Sequence, residues 1–193
     1  MLNNLKKGEL IVFAAPSGAG KSSLIKEIIS NNENIELSVS ATTRSPREGE
    51  IHGKDYFFTD SKHFESMIYK DQFIEYQCVY GNLYGSTKEY VLNQLDEGHD
   101  VILEIDYKGM MKIKSIYPEA ITIYIVPPCI DSLRERLISR AQDDHETVEN
   151  RISSARFELC YAQLSDYVII NGNFRSALVD LAEIVLVNKL SKL

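Results

Sequence analysis

The sequence predicts an α/β fold, a parallel sheet core flanked by helices, and three observations carry that prediction. Short, continuous apolar runs alternate with amphipathic runs, as expected of strands buried on both faces and joined by helices. Residues 40–86 break the pattern: they are rich in Tyr, Phe and Thr and read as a small, mostly β insertion. The chain has 193 residues, the size of one domain carrying such an insertion.

The elements follow in order. Leu10-Ile11-Val12-Phe13-Ala14 is a first buried strand. Ser22 to Ile29 carries Leu24, Ile25, Ile28 and Ile29 at helical spacing. Val101 to Ile105 is a second buried strand, and Ile121 to Val126 a third, stopped by Pro127-Pro128. Tyr167 to Ile170 is a fourth, stopped by Asn171-Gly172. Helical patterns fill 87–97, 108–116, 130–140, 146–162 and 174–190. Within the insertion, turn signals stand at Ser45-Pro46, Glu48-Gly49 and His52-Gly53, with one short helix near Lys62–Tyr69. Ala141–His145 is a polar break between two helices, and Asp143 with Glu146 reads as a capping box. The expected division is a core of 1–39 and 87–193, a lid at about 137–151 within it, and the insertion at 40–86.

Composition narrows the function. The net charge is −7, which argues against holding a nucleic acid backbone or an anionic membrane surface, since both need clustered cations. No run reaches the ~18 apolar residues of a membrane span, and Met1 to Leu10 shows no signal-peptide pattern. Cys78, Cys129 and Cys160 lack CxxC spacing and are expected to be small buried apolar residues in a reducing cytoplasm. The four histidines form no pair at metal-ligand spacing.

The first strand runs into Ala15-Pro16-Ser17-Gly18-Ala19-Gly20-Lys21-Ser22, and a helix follows. This is the phosphate-loop pattern G-x-x-x-x-G-K-[ST] with Ala15 at the first position. Gly18 and Gly20 let the backbone curl so that successive N–H groups face one concavity at a helix N-terminus. Lys21 can reach the β- and γ-phosphates, and the Ser22 hydroxyl can ligate Mg²⁺. A plain glycine turn would not explain the Lys-Ser pair. A GTPase reading fails: Asp106-Tyr107-Lys108-Gly109 matches only a short D-x-x-G, and Asn188-Lys189-Leu190-Ser191 lacks the Asp of N-K-x-D.

Ser38 to Glu50 sets Arg44 and Arg47 beside hydroxyls in an otherwise acidic chain. The planar guanidinium suits a phosphate dianion because it binds two oxygens at once. Taken alone, the segment reads equally well as a solvated surface turn.

Ser40-Ala41-Thr42-Thr43-Arg44-Ser45-Pro46-Arg47-Glu48-Gly49-Glu50 is followed by Asp55-Tyr56-Phe57-Phe58, Phe73-Ile74-Glu75-Tyr76, Gly81-Asn82-Leu83-Tyr84-Gly85-Ser86 and Leu103-Glu104-Ile105-Asp106. These blocks, in this order, closely resemble the guanylate kinases, bacterial ones in detail, from about Gly8 to about Leu186. The resemblance implies a P-loop nucleoside monophosphate kinase fold with a mixed β nucleotide-binding insertion and a lid. It implies that Ser40, Arg44, Arg47, Tyr56 and Tyr84 hold the acceptor phosphate, and that Glu75, Ser86 and Glu104 read guanine. Asp106 matches a position near the acceptor and the metal. Arg136, Arg140 and Arg151 match lid and hinge arginines over the donor phosphates, and Asn171 an asparagine near the donor adenine. Lys21, Arg44, Arg140 and Arg151 are the expected catalytic set. Three departures stand out: Lys108 for Gln, Ala141 for a lid Gly, and Gly172-Asn173 where Asp-Asp often follows.

The implied reaction is ATP + GMP giving ADP + GDP in purine nucleotide metabolism, with Mg²⁺, in the cytoplasm; dGMP is an open second acceptor. A carboxylate accepts from both N1–H and the N2 amine of guanine, whereas adenine offers neither donor on that edge. The Ser86 hydroxyl can donate to O6. No general base is needed, because the attacking phosphate oxygen is already largely deprotonated (second pKa ~6). Tyr76 and Tyr80 read as packing residues. A non-catalytic scaffold module that binds peptides and a kinase for another phosphorylated acceptor are the competing readings. The oligomeric state is open.

Overall fold

The computed structural model describes residues 7–79, 81–139 and 144–190, with side chains to Asn188. The expectations for Tyr80, Arg140, Ala141 and Asp143 lie outside the described residues.

In chain order the elements are β1 (Leu10–Ala14), α1 (Lys21–Ser30), β2 (Ile35–Leu37), β3 (Ala41–Thr42), β4 (Phe57–Phe58) and α2 (Ser61–Tyr69). Next come β5 (Phe73–Val79), β6 (Asn82–Thr87), α3 (Lys88–Asp96), β7 (Asp100–Glu104), α4 (Tyr107–Ile116) and β8 (Ile121–Val126). The chain continues with α5 (Ile130–Ser139), α6 (His145–Glu158), a 3₁₀ segment (Leu159–Leu164), β9 (Tyr167–Ile170) and α7 (Phe174–Leu190).

One sheet has five strands in the order β2-β7-β1-β8-β9, and a second has four in the order β4-β3-β6-β5. In the first, β2 pairs with β7 and β8 with β9, both parallel. The chain leaves β1 for β2 and β7, then returns to β8 on its other side. β1 is therefore the topological switch point, and ligands of open α/β sheets bind beyond the carboxyl end of such a strand. The phosphate-loop motif follows β1 there. The second sheet is mixed, with β3–β4 parallel and β3–β6 and β5–β6 antiparallel.

Two compact units make up the described chain. The first takes in residues up to Ile11, Asn34–Leu103 and Lys108–Ile121; the second takes in Val12–Glu33, Glu104–Tyr107 and the residues from Thr122 on. In the first, Phe64 of α2 stacks on Phe73 of β5 with ring centroids 4.5 Å apart, and Ala41 completes the buried cluster. Gly85 on β6 faces that ring: a Cβ there would sit 2.7 Å from Phe73 Cδ1, so only glycine fits. In the second, α5 and α6 close on Leu133, Leu137, Val148, Ile152 and Ala155. These residues recur at helical spacing on each helix, so each presents one apolar stripe.

Four sequence expectations are corrected. β2 is a fifth strand that periodicity did not reveal, because Ile35-Glu36-Leu37 is too short to show a pattern. The helix expected to 162 ends at Glu158 and tightens into the 3₁₀ segment. Its N-cap is Asp144, whose carboxylate accepts from the Thr147 amide at 2.7 Å. All three cysteines are exposed rather than buried, and none is in a disulfide.

Candidate active site

In the second unit, β1 delivers the chain into a loop where Gly18 and Gly20 have φ of 89° and 91°. Only glycine adopts this left-handed region without strain, and Gly20 is the N-cap of α1. The Lys21 ammonium donates to the Ile105 carbonyl at 2.8 Å and lies 3.9 Å from the Glu104 carboxylate. Burial pushes its pKa below the ordinary lysine value, opposed in part by Glu104, Asp106 and Glu158. Ser22 Oγ donates to Glu104 Oε1 at 2.5 Å.

Three further residues grip the same loop. Arg151 of α6 donates to Ser17 Oγ at 3.3 Å. Arg136 of α5 donates to the carbonyls of Ala19, at 3.3 Å, and Asn171, at 2.7 Å. Asn171, just past β9 and buried, donates through Nδ2 to the Ala19 carbonyl at 2.8 Å. Ser17, Ala19, Lys21, Ser22, Glu104, Arg136, Arg151 and Asn171 are thus joined by contacts around one loop. Ala15, Pro16 and Gly18 complete its backbone.

In the first unit the polar residues gather on the mixed sheet. β5 carries an irregularity between Phe73 and Glu75: Phe73 pairs with Thr87 but Glu75 pairs with Ser86. That one-residue shift, a β-bulge, re-aims the Glu75 side chain. Glu75 is 3% exposed and Ser86 fully buried, and Ser86 Oγ donates to Glu75 Oε1 at 3.2 Å. Ser40 Oγ lies 3.4 Å from Ser86 Oγ.

The Arg44 guanidinium forks onto Glu50, with Nη1 at 3.0 Å from Oε2 and Nη2 at 2.8 Å from Oε1. It also lies over the Tyr56 ring at 5.3 Å, and Tyr56 meets Tyr84 edge to face at 5.9 Å. The fork holds the Glu50 carboxyl below its usual range, helped by the Arg47 amide, which donates to Glu50 Oε2 at 2.7 Å. Glu50 in turn raises the Arg44 pKa, assisted by a bond to Tyr84. Arg47 itself is exposed.

The sequence-picked residues therefore fall into two sets. Ser40, Arg44, Tyr56, Glu75, Tyr84 and Ser86 gather in the first unit; the loop residues, Glu104, Arg136, Arg151 and Asn171 gather in the second. Asp106 is half-buried, two residues beyond Glu104, and belongs to the second set. Sequence reading gave no role to Glu50, whose place after R-x-x-R-x-G was its only signal. The Ile105 and Ala19 carbonyls were invisible to it, since a backbone atom has no letter.

The family model for guanylate kinase matches residues 7–187. The chain belongs to the guanylate kinase family. It is 41% identical over 188 residues to the guanylate kinase of Coxiella burnetii, spanning 97% of this chain and 91% of that one. It is 45% identical to the guanylate kinase of Psychrobacter arcticus, spanning 94% and 88%. The crystal structure of guanylate kinase from Anaplasma phagocytophilum superposes with a TM-score of 0.78 at 30% identity, covering 95% of this chain and 87% of that one. Guanylate kinases phosphorylate GMP using ATP, so this chain is a nucleotide-binding transferase.

Proposed function

We propose that the second unit holds ATP and the first holds GMP, and that the γ-phosphoryl group passes from one to the other. The buried Glu75–Ser86 pair carries the acceptor assignment. A carboxylate kept from water and set beside a hydroxyl matches the two donors and one acceptor on the guanine edge. Arg44 and Arg47, with Ser40, Tyr56 and Tyr84, supply charge and hydrogen bonds to the acceptor phosphate. Residues 40–86 are then the acceptor-binding insertion.

Lys21 and the loop amides take the donor phosphates, and Arg140 and Arg151 add positive charge from the proposed lid at about 137–151, while Arg136, one residue before it, donates to the loop backbone. Catalysis is positioning and charge neutralisation of two polyanions, with the GMP phosphate oxygen as nucleophile. Excluding water prevents loss of the phosphoryl group to hydrolysis.

The donor set also fits Mg²⁺. The resemblance set Glu104 with the guanine readers, but its contacts are with Ser22 and Lys21 of the loop. The Ser22 hydroxyl and the Glu104 carboxylate are hard oxygen donors already in contact, with Asp106 two residues further along. Among the described residues no three His, Cys, Asp or Glu side chains could cage a metal. Mg²⁺ at phosphate-transfer sites is usually held by one or two protein ligands together with substrate phosphates. When bound it would neutralise phosphate charge.

The residues proposed for the acceptor are assigned to base and phosphate and none is assigned to the ribose 2′-hydroxyl, so dGMP is a proposed second acceptor. The three exposed thiols suit a reducing compartment, which supports a cytoplasmic site of action. Among the described residues no helix is long and apolar enough to cross a membrane. ADP production with GMP, AMP, UMP and CMP tests the reading. Turnover with GMP well above the other three is expected; equal turnover with another acceptor, or none with any, overturns it.

A further inference from the structure

We propose that Asn171 and Arg136 are positioning residues that aim the Gly20 amide of the phosphate loop at the donor phosphates. This rests on the proposal that the loop binds those phosphates. The resemblance assigned Asn171 to the adenine and Arg136 to the phosphates themselves, but their observed contacts are with the loop backbone.

Two donors converge on one carbonyl. Asn171 Nδ2 and Arg136 Nη1 both donate to the Ala19 oxygen, at 2.8 and 3.3 Å. The donors are themselves tied together, because Arg136 Nη2 donates to the Asn171 carbonyl at 2.7 Å. Asn171 is further anchored by its amide, which donates to Val126 O at 2.8 Å. It is 4% exposed, so its side chain is held in one place.

The consequence follows from peptide geometry. No described peptide bond is cis, and in a trans peptide the C=O and N–H point in opposite directions. Holding the Ala19 carbonyl on Asn171 and Arg136 therefore turns the Gly20 N–H to the opposite side. A flipped peptide would present a carbonyl oxygen to the phosphates, where repulsion replaces a hydrogen bond. The glycine at 20 allows the grip as well as the turn: a Cβ there would stand 2.3 Å from Asn171 Nδ2. Gly20 is thus required both by its φ of 91° and by the close approach of the amide.

The distinguishing ligand is inorganic tripolyphosphate, which has the donor's phosphates and no base. Asn171→Asp keeps the shape and sets an acceptor against the Ala19 carbonyl. It should weaken tripolyphosphate and ATP alike, by about tenfold, the scale of one buried hydrogen bond lost. GMP affinity should be unchanged, which also reports that the variant is folded. Arg136→Gln should show the same pattern more weakly, because its bond to Ala19 is longer. If Asn171→Asp does not fold, Arg136→Gln alone decides. A loss confined to ATP, with tripolyphosphate binding intact, assigns these residues to the base and overturns the proposal; so does no loss for either ligand. Lys21→Ala separates this failure from failure of the donor-site reading: unchanged tripolyphosphate binding in that variant overturns the donor site itself.

Discussion

The Ser86 hydroxyl donates to the Glu75 carboxylate across the β5–β6 ladder, both side chains buried, because a bulge before Glu75 sets the two opposite each other. An ionised carboxylate is acceptor-only. Glu75→Gln keeps the shape but turns half the group into a donor, which would oppose the N1–H or the N2 amine of guanine. GMP use should fall by at least about tenfold, the scale of ~1.4 kcal/mol, while ATP binding stays nearly unchanged. Steady-state kinetics with GMP and a separate ATP titration decide; unchanged GMP kinetics would falsify the guanine-reading role.

Arg44→Ala and Arg47→Ala should each raise the GMP requirement more than the ATP requirement. Each removes charge-assisted bonds to the acceptor phosphate, costing ~2 kcal/mol or more. The two should differ in stability. Arg44→Ala strands Glu50, a mostly covered carboxylate whose fork partner is gone, whereas Arg47 is exposed. Thermal unfolding should therefore drop further for Arg44→Ala. If ATP binding suffers instead of GMP binding, the two nucleotide sites are exchanged.

The Arg44–Glu50 fork also predicts an acid dependence. Glu50 has its folded-state pKa lowered, first by the Arg44 hydrogen bond. A carboxyl so shifted adds stability that is fully present above its unfolded pKa, ~4.3. That contribution is lost as pH falls through the lower, folded value. The stability gap between the wild-type chain and Glu50→Gln should hold from neutral pH down to about that unfolded value, then narrow. Melting temperatures measured across this range provide the check, and a gap that widens on acidification contradicts the assignment.

Gly85→Ala tests the packing beneath the acceptor set. The added methyl would meet the Phe73 ring at 2.7 Å, and that ring is already stacked on Phe64. Overpacking of this kind costs about 1–3 kcal/mol, measurable as a lower urea midpoint. Phe73 lies two residues before Glu75, so GMP affinity should fall with it while Lys21 and its loop keep their tripolyphosphate affinity.

Much of the architecture was legible because the features that specify it are local. Leu10–Ala14, Ile121–Val126 and Tyr167–Ile170 are continuous apolar runs with turn residues behind them, and each is a strand with those bounds. The phosphate loop was legible because the positive φ at Gly18 and Gly20 restricts which residues can stand there. β2 was not legible. Ile35-Glu36-Leu37 becomes a strand only by pairing with Asp100-Val101-Ile102, a partner far along the chain.

By itself, the sequence determined which side chains were available and which segments would become helix or buried strand, since both depend on residue type and on neighbours a few positions away. It could not decide where their hydrogen bonds would go. Glu50 received Arg44, Glu104 received Ser22, and the carbonyls of Ala19 and Ile105 received Asn171 and Lys21. Directional bonds form between groups within ~3 Å, and all of these except the Arg44–Glu50 pair join residues more than 80 positions apart. Only the folded chain brings such atoms together, and two of the acceptors are backbone carbonyls that every residue carries alike.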